Sequence, residues 1–422
     1  MSLAARALSS ARAYAGLDRR IWTLAAVRGA NTMGLSLVLA FMGLYLVTER
    51  GVSGLHYGLI YFTANICQAL TSTWAGQLSD RIGRRRLMVS TLVGRALVIA
   101  ALGALVLVHA PVPLLAVVIV VSATLRGGFE PIASAVVADV AAPADRVAAF
   151  GLQRMGINVG WAVGPALGGL LASVIDYGLV FFCAVIPLFI SAIVMARLEE
   201  PPRSAAAAAA PAADRISLRA ALADASSRGE LMLLLLCALV FSTVHIQLFA
   251  TLGLYAKGEL GIDEAHIGLL YTINGVLVIA LQVPAIALIR RLSPDRALVT
   301  GCLIYSTAFL WIGAADGPGL LRLAVVTATI GEVILTPAQE STVADLSDPT
   351  RLGRAFGLYG TMQMIGVAFA PLLGGLIYDH LRHRPMAMWG TLAGLAFLLA
   401  LGYARFGSLN RRRLQGDISS GR

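Results

Sequence analysis

The chain has 422 residues, 58% of them hydrophobic and 13% charged, with a net charge of +10 and a mean hydropathy of +0.79. A water-soluble globular domain does not tolerate so apolar a composition, which points to a polytopic membrane protein. The positive balance would also suit a nucleic-acid binder, but where the cations fall along the chain excludes that reading.

A membrane-spanning helix needs about 20 predominantly apolar residues. In chain order twelve such runs are predicted, at 21–48, 54–79, 87–109, 112–140, 148–174, 178–197, 230–256, 264–289, 297–315, 319–345, 354–379 and 386–405. The segment before the first carries Arg6, Arg12, Arg19 and Arg20, and the apolar run that follows is too long for a signal-peptide core, so an uncleaved first helix is expected. Of the 33 Lys and Arg, 24 fall on one face of the predicted topology and five on the other. The remaining four, Arg28, Arg95, Arg126 and Arg154, lie within spans. That bias is the positive-inside pattern, which predicts a multi-pass protein of the inner, cytoplasmic membrane with both termini in the cytoplasm. The lipid bilayer is then the partner, and no nucleic acid is. Cys67, Cys183, Cys237 and Cys302 all fall inside spans without any CxxC pairing, and read as small apolar packing residues.

Between the second and third spans runs Gly76-Gln-Leu-Ser-Asp80-Arg81-Ile-Gly83-Arg84-Arg85-Arg86. Two helices ending at one membrane face need a sharp reversal there, for which the glycines allow close approach and positive φ, while the arginines hold the turn in the cytoplasm. Residues 199–229, with Glu199-Glu200-Pro201-Pro202 and six alanines from Ala205 to Ala210, break the apolar pattern. They are read as a cytoplasmic linker between an N-terminal six-helix bundle, 1–198, and a C-terminal one with a basic tail, 230–422. Ile216 to Ser227 suits an amphipathic helix lying on the membrane face.

The halves repeat. Gly51, His56, Gly58, Leu59 and Tyr61 match Gly261, His266, Gly268, Leu269 and Tyr271 at a shift of 210 residues. Pro131, Ala138, Asp139, Pro143, Phe150 and Gly151 match Pro337, Ala344, Asp345, Pro349, Phe356 and Gly357 at a shift of 206. Two homologous bundles flanking a central pathway are the natural reading. Within the repeat, the fifth span carries Gly151, Gly160, Gly164-Pro165 and Gly168-Gly169, and the eleventh carries Gly357, Gly366, Ala370-Pro371 and Gly374-Gly375. Small residues let helices approach in lipid and proline bends them, so these positions suit packing, pivoting or both.

By these motifs the whole chain resembles the major facilitator superfamily. The Gly76 to Arg86 run looks like its signature between the second and third helices, and the fifth-span glycine pattern is similar to that of its drug-proton antiporters. The resemblance implies an all-α fold of twelve transmembrane helices in two pseudo-symmetric bundles, and gating roles for Gly76, Asp80, Arg81, Gly83 and Arg84. Asp80 would latch onto the N-terminus of the eleventh helix in an outward-facing state. The residues alone also fit a basic turn that sets topology and binds anionic lipid heads. Arg126 stands where these antiporters carry a fourth-helix arginine linked to proton movement, although Glu130 replaces the glycine of that pattern.

Charges inside the hydrocarbon layer are costly and usually mark a pathway. Arg126 and Glu130, four residues apart, are expected on one face of the fourth span, paired. If transport moves the cation away, the carboxyl can take up a proton; a static buried pair is the plainer alternative. Glu332 at matching depth in the tenth span is a second candidate proton carrier or cation-binding acid. Arg28, Asn31, Asn65, Asn158, Trp161, His245, Asn274 and Gln363 are expected to line a substrate cavity. There is no metal-ligand spacing, nucleophile elbow, phosphate loop or Walker lysine, so neither an enzyme nor a cofactor or metal is expected. The expected function is a monomeric secondary transporter, driven by protons, that exports hydrophobic or amphipathic small molecules of the multidrug type by alternating access. The alternative is an uptake permease or symporter for a small polar or anionic metabolite, favoured by Arg28, Arg126 and Arg154.

Overall fold

A computed structural model describes residues 14, 16–142, 145–199, 229–289, 292–346 and 352–419. Among them there is helix and no strand. In chain order they form α1 (Arg19–Leu44), α2 (Gly54–Ile82), α3 (Arg84–Leu107), α4 (Val112–Gly127), α5 (Glu130–Val140), α6 (Arg146–Ala172) and α7 (Tyr177–Ala196). These are followed by α8 (Gly229–His245), the short α9 (Gln247–Ala250) and α10 (Leu252–Gly258), then α11 (Glu264–Ile289), α12 (Pro294–Gly313), α13 (Pro318–Leu346), α14 (Leu352–Leu381) and α15 (Pro385–Ser419). A π-helical turn, Tyr45–Glu49, extends α1.

Eleven stretches of described helix are long and apolar enough to cross a bilayer. The twelfth span is α2, whose 29 residues reach about 43 Å at 1.5 Å per residue. It is less apolar because Asn65, Gln68 and the Thr71-Ser72-Thr73 run dilute its leucines. Outward-facing apolar side chains such as Leu97 (65% exposed), Ile186 (60%) and Leu398 (61%) suit hydrocarbon, not water.

Several expectations need correction. The predicted continuous helix over 112–140 is two helices, α4 and α5, interrupted at Gly128 and Phe129. The run 230–256 is likewise broken, at Ile246 and Thr251. The last helix runs on past 405 to Ser419. The turn read from Gly76 to Arg86 is a single residue: α2 continues to Ile82, and Gly83 alone, at φ 94°, joins it to α3. Gly76 is an ordinary helical glycine with open space around it. Most of the expected linker, 200–228, including the amphipathic stretch, lies outside the described residues, as do Arg6 and Arg12 and the side chains of the basic tail beyond Arg411.

The described chain forms two compact units, one drawn from residues 1–51, 63–210 and 263–275, the other from 52–62, 211–262 and 276–422. The sequence repeat reappears in their packing. In the first unit α1 packs on α6 and α7, and α3 on α4 and α7; in the second, α8 packs on α14 and α15, and α12 on α13 and α15. The match extends to single residues. Gly51 and Gly261 share a left-handed φ of 65° and 64°, which only glycine adopts without strain. Two residues on, Ser53 and Asp263 cap the helices that follow, accepting hydrogen bonds from the backbone N–H of His56 at 3.3 Å and of His266 at 2.8 Å.

The glycine-rich faces sit in the tightest helix contacts. A Cβ on Gly160 would meet the Gly29 carbonyl and Thr32, and one on Gly164 or Gly168 would run into Ser36 or Phe41, so α6 lies on α1 nearly backbone to backbone. The Ser36 hydroxyl donates to the Gly160 carbonyl at 3.0 Å. The second unit repeats the arrangement: Gly366 and Gly374 face α8 and α9, the Thr243 hydroxyl donates to the Gly366 carbonyl at 3.1 Å, and Gln247 donates to the Ala370 carbonyl at 2.9 Å. Pro165 and Gly169 turn to the first turns of α11, where the Pro165 carbonyl meets Gly268 and Gly169 lies against Glu264.

Candidate functional site

The helix break between α4 and α5 organises the polar centre of the first unit. Arg126 lies in the last turn of α4, the negative end of the helix dipole, which favours a cation. Glu130 opens α5, where unpaired N–H groups favour an anion. Interrupting one helix thus gives each charge a favourable helix end and turns the two side chains toward different neighbours.

Glu130 is the acid of a cross-helix pair. Arg28 of α1 donates to its Oε2 at 2.5 Å, and Asn31, one turn further along α1, donates to Oε1 at 3.5 Å. The Arg28 side chain is 9% exposed and that of Glu130 34%, so the pair is buried on the cation side and open on the acid side. Asn31 spans two partners, its amide nitrogen toward Glu130 and its oxygen accepting from Arg95 of α3. Arg95 is only 1% exposed. Arg126 donates through Nε to Gln68 of α2 at 2.9 Å, and through a second nitrogen to the same oxygen. The expected pairing of Arg126 with Glu130 is corrected accordingly: the close cation on Glu130 is Arg28, and Arg126 is held by an amide.

Arg28, Asn31, Arg95 and Glu130 therefore make one hydrogen-bonded network across α1, α3 and α5, and the Arg126–Gln68 contact separately joins α4 to α2. Each arginine at mid-membrane depth costs about 2.5–3.5 kcal/mol on insertion scales. In the sequence Arg95 stands out only as a charge within a span, and Gln68 is one more amide in an apolar run. What would have flagged both is the rule applied to Arg28: a charge or amide inside an apolar run faces a partner.

The second unit holds a smaller centre. His245 closes α8, sharing a hydrogen bond of 2.8 Å through Nδ1 with the Tyr305 hydroxyl, while its Nε2 lies 4.0 Å from Glu332 Oε1. Phe241 stacks on the imidazole at 5.6 Å and Phe249 meets it edge-on at 5.8 Å. Gln363 belongs to another chain of bonds, donating at 3.0 Å to the hydroxyl of Tyr359, which donates at 3.1 Å to Gln339; Gln339 in turn bonds Tyr403. Asn274 is buried on α11, Asn65 and Asn158 are half-buried on α2 and α6, and Trp161 is half-buried on α6. Arg154 is exposed on α6.

Of the residues expected to gate, Arg84 makes an ion pair with Asp139, the two side chains 15% and 11% exposed. Arg85 donates to the Leu198 carbonyl at 3.3 Å, and Arg81 is exposed. Asp80 lies in the last turns of α2, but its side chain is outside the described residues.

The Major Facilitator Superfamily profile matches residues 24–262 and again 248–416, one copy for each half of the repeat. The chain belongs to the major facilitator superfamily. Among its relatives, the uncharacterized MFS-type transporter YqjV of Bacillus subtilis is 26% identical over 390 residues, covering 91% of this chain and 92% of that protein. The multidrug resistance protein MdtG of Salmonella typhimurium is 27% identical over 394 residues, covering 90% and 92%. Solved superfamily folds resemble it too: the nucleoside transporter NupG at TM-score 0.77 and 12% identity, covering 92% of this chain and 99% of that one, and a D-xylose-proton symporter at 0.74 and 16%, covering 91% and 97%. These two transporters are named for unlike solutes, so the superfamily fold fixes membrane transport of a small molecule and leaves the cargo to this chain's own side chains.

Proposed function

We propose that this superfamily member exports hydrophobic or amphipathic small molecules across the cytoplasmic membrane in exchange for protons, working as a monomer by alternating access. The observation that carries the coupling is the Arg28–Glu130 pair, a buried cation on a carboxylate that is one-third exposed. A group so placed can exchange a proton with water while remaining tied to the buried network. When Glu130 takes up a proton, Arg28 loses its counter-charge and must be re-paired, which gives the bundle a reason to rearrange. Arg126, at the helix break beside Glu130, and Glu332, facing His245 in the other unit, are the supporting members. The multidrug name of the MdtG relatives supports outward transport of drug-like compounds. The glycine faces of α6 and α14, together with Asp80, Arg81, Gly83 and Arg84, would serve as pivots and gate.

Inside-out vesicles test this. Accumulation of a lipophilic dye driven by an imposed proton gradient, abolished by Glu130→Gln in protein that still folds, is the expected result; accumulation unchanged in that variant removes Glu130 from the mechanism. A second reading, uptake of a small anion together with a proton, is favoured by one specific observation, the second guanidinium, Arg95, tied to Glu130 through Asn31. Uptake of a hydrophilic anion into right-side-out vesicles, with dyes ignored, would establish it.

A further inference from the structure

We infer that the first turns of α2 form a releasable latch, seated on residues 371–375 of α14 and fastened there by Asp379, and that its release opens the outer side of the transport path. The inference rests on the alternating-access reading, but not on which cargo or ion is moved.

Helix α2 is shared between the two units. Residues 52–62 belong to the second, whereas 63–82, with α1 before them and α3 after them, belong to the first. The helix runs unbroken from Gly54 to Ile82. Between Gly58 and Gly76 it has neither proline nor glycine, the usual places for a sharp kink. At its far end Gly83 alone joins it to α3. When the units part in the transport cycle, α2 therefore stays with α1 and α3 and lets go of α14 at its start.

The seat is built for separation. A Cβ on Gly58 would lie 2.5 Å from the Leu372 Cα and 2.7 Å from the Pro371 carbonyl oxygen, and Gly54 touches Gly375 backbone to backbone. Faces of this kind have few side-chain knobs to withdraw. Asp379 fastens one edge, accepting from the amides of Gly54 at 2.7 Å and Leu55 at 2.8 Å. Its side chain is half-buried, so carboxylate and amides can pass to water as the helix leaves, and the bonds are exchanged instead of lost. The other edge is closed by Phe62 on Phe369, ring centroids 5.0 Å apart.

The repeat builds the same seat again. Residues 263–275, at the start of α11, belong to the first unit, whereas α10 before them and α12 after them belong to the second. Gly268, 210 residues after Gly58, lies on Pro165, and Gly169, 206 residues before Gly375, lies on Glu264. The Thr272 hydroxyl donates to the Ala162 carbonyl at 3.1 Å, and the Tyr177 hydroxyl donates to the buried carboxylate of Glu264. The doubled glycines now have separate uses. Gly168 and Gly374 face Phe41 and Gln247 of their own unit's first helices, while Gly169 and Gly375 face the visiting helix. Packing within one bundle explains the first glycine of each pair and leaves the second without a use. On the orientation that the chain's positive charge favours, both seats lie at the outer membrane face.

The experiment uses the full chain with Cys67, Cys183, Cys237 and Cys302 replaced by alanine, and with His56→Cys and His380→Cys at exposed positions beside the latch. Spin labels on this pair, followed by pulsed electron spin resonance in nanodiscs, report whether the two ends are together. A short distance should dominate; Asp379→Ala should raise the long-to-short ratio about fivefold or more, and Asp379→Asn, which keeps one acceptor oxygen, should fall between. In proteoliposomes, bridging the same pair with a bis-methanethiosulfonate should cut proton-driven dye flux about tenfold or more, and dithiothreitol should restore it. Bridging His380→Cys to His383→Cys, both at the end of α14, should leave the flux unchanged. A distance distribution that does not respond to Asp379→Ala, or native flux through the bridged protein, overturns the latch. The bridge holds the native contact closed, so its result stands even if Asp379→Ala folds poorly. Dye flux absent from every form sinks the efflux reading, and the distances alone then decide the latch.

Discussion

Removing either partner of the Arg28–Glu130 pair should cost unequal amounts of stability, and a double-mutant cycle measures what the pair itself contributes. Breaking a fully buried ion pair from one side costs about 3–5 kcal/mol. Here the Arg28 side chain is 9% exposed and Glu130 34%. Water can take over part of what Glu130 loses, so Arg28→Gln should cost about 2–4 kcal/mol and leave the carboxylate only the 3.5 Å contact from Asn31. In Glu130→Gln the amide oxygen still accepts from Arg28, lowering the expected cost to about 1–3 kcal/mol. Because the residues touch, the coupling energy should lie between about 1 and 2 kcal/mol. Reversible unfolding in mixed lipid and detergent micelles, followed by tryptophan fluorescence, supplies the four free energies. A parallel cycle for Arg126 and Glu130 should give a smaller coupling, since Arg126 is held by Gln68. A coupling under about 0.5 kcal/mol for Arg28 and Glu130, or a larger one for Arg126 and Glu130, would refute the pairing on which the mechanism is built.

Asp379 accepts hydrogen bonds from the first amides of α2, Gly54 at 2.7 Å and Leu55 at 2.8 Å, capping that helix from α14. Asp379→Ala should lose about 1–2 kcal/mol of local protection, read as roughly five- to thirtyfold faster hydrogen exchange over residues 53–58, whereas an unchanged rate would remove the cap from the account. Gly160→Ala would bring a Cβ to 2.5 Å from the Gly29 carbonyl oxygen and 2.7 Å from Thr32 Cβ, forcing α1 and α6 apart at a cost of about 1–3 kcal/mol. Gly76→Ala, with open space around it, should be neutral or stabilise by up to about 1 kcal/mol; thermal unfolding of the two variants should separate them. At the start of α11, the backbone N–H of His266, joined by its imidazole, holds the Asp263 carboxyl below its ordinary value of 3.8. A depressed folded value means that the cap's contribution is complete above pH 3.8 and is lost as pH falls through the lower, folded value. Exchange in the first turn of α11 should therefore stay flat from pH 7 to about pH 4, after correction for intrinsic rates, and rise below it; a rise already near pH 6 would assign the effect to the imidazole instead.

The twelve spans were legible because a bilayer sets one length scale that apolar runs must meet, and the repeat because Gly51 and Gly261 have the same left-handed job before the same cap. The glycine faces were legible as well, since a stripe of Gly160, Gly164 and Gly168 on an apolar helix has few uses other than close approach. The partner of Glu130 was not. Counting four residues back from it assumes an unbroken helix, and Gly127-Gly128 had already weakened that assumption within the sequence. Once the helix breaks, the partner is set by the rotation of α1 and α3 about their own axes, which hydropathy does not encode in helices that are apolar on nearly every side. The same holds for Arg95: its charge was visible, but its bond to Asn31 depends on where two helices face each other. His245 and Glu332 were seen separately, whereas their shared neighbour Tyr305 gave no signal of its own, being one more aromatic in an apolar run.

The most direct test of the central claim measures protons and solute together. Proteoliposomes holding the chain, loaded with a pH-sensitive dye and given an amphipathic substrate with no imposed gradient, should show solute-driven proton movement for the native protein. In Glu130→Gln, reconstituted to the same level and still folded at the assay temperature, solute exchange should persist while proton movement disappears. Proton movement of native size in that variant would contradict the account.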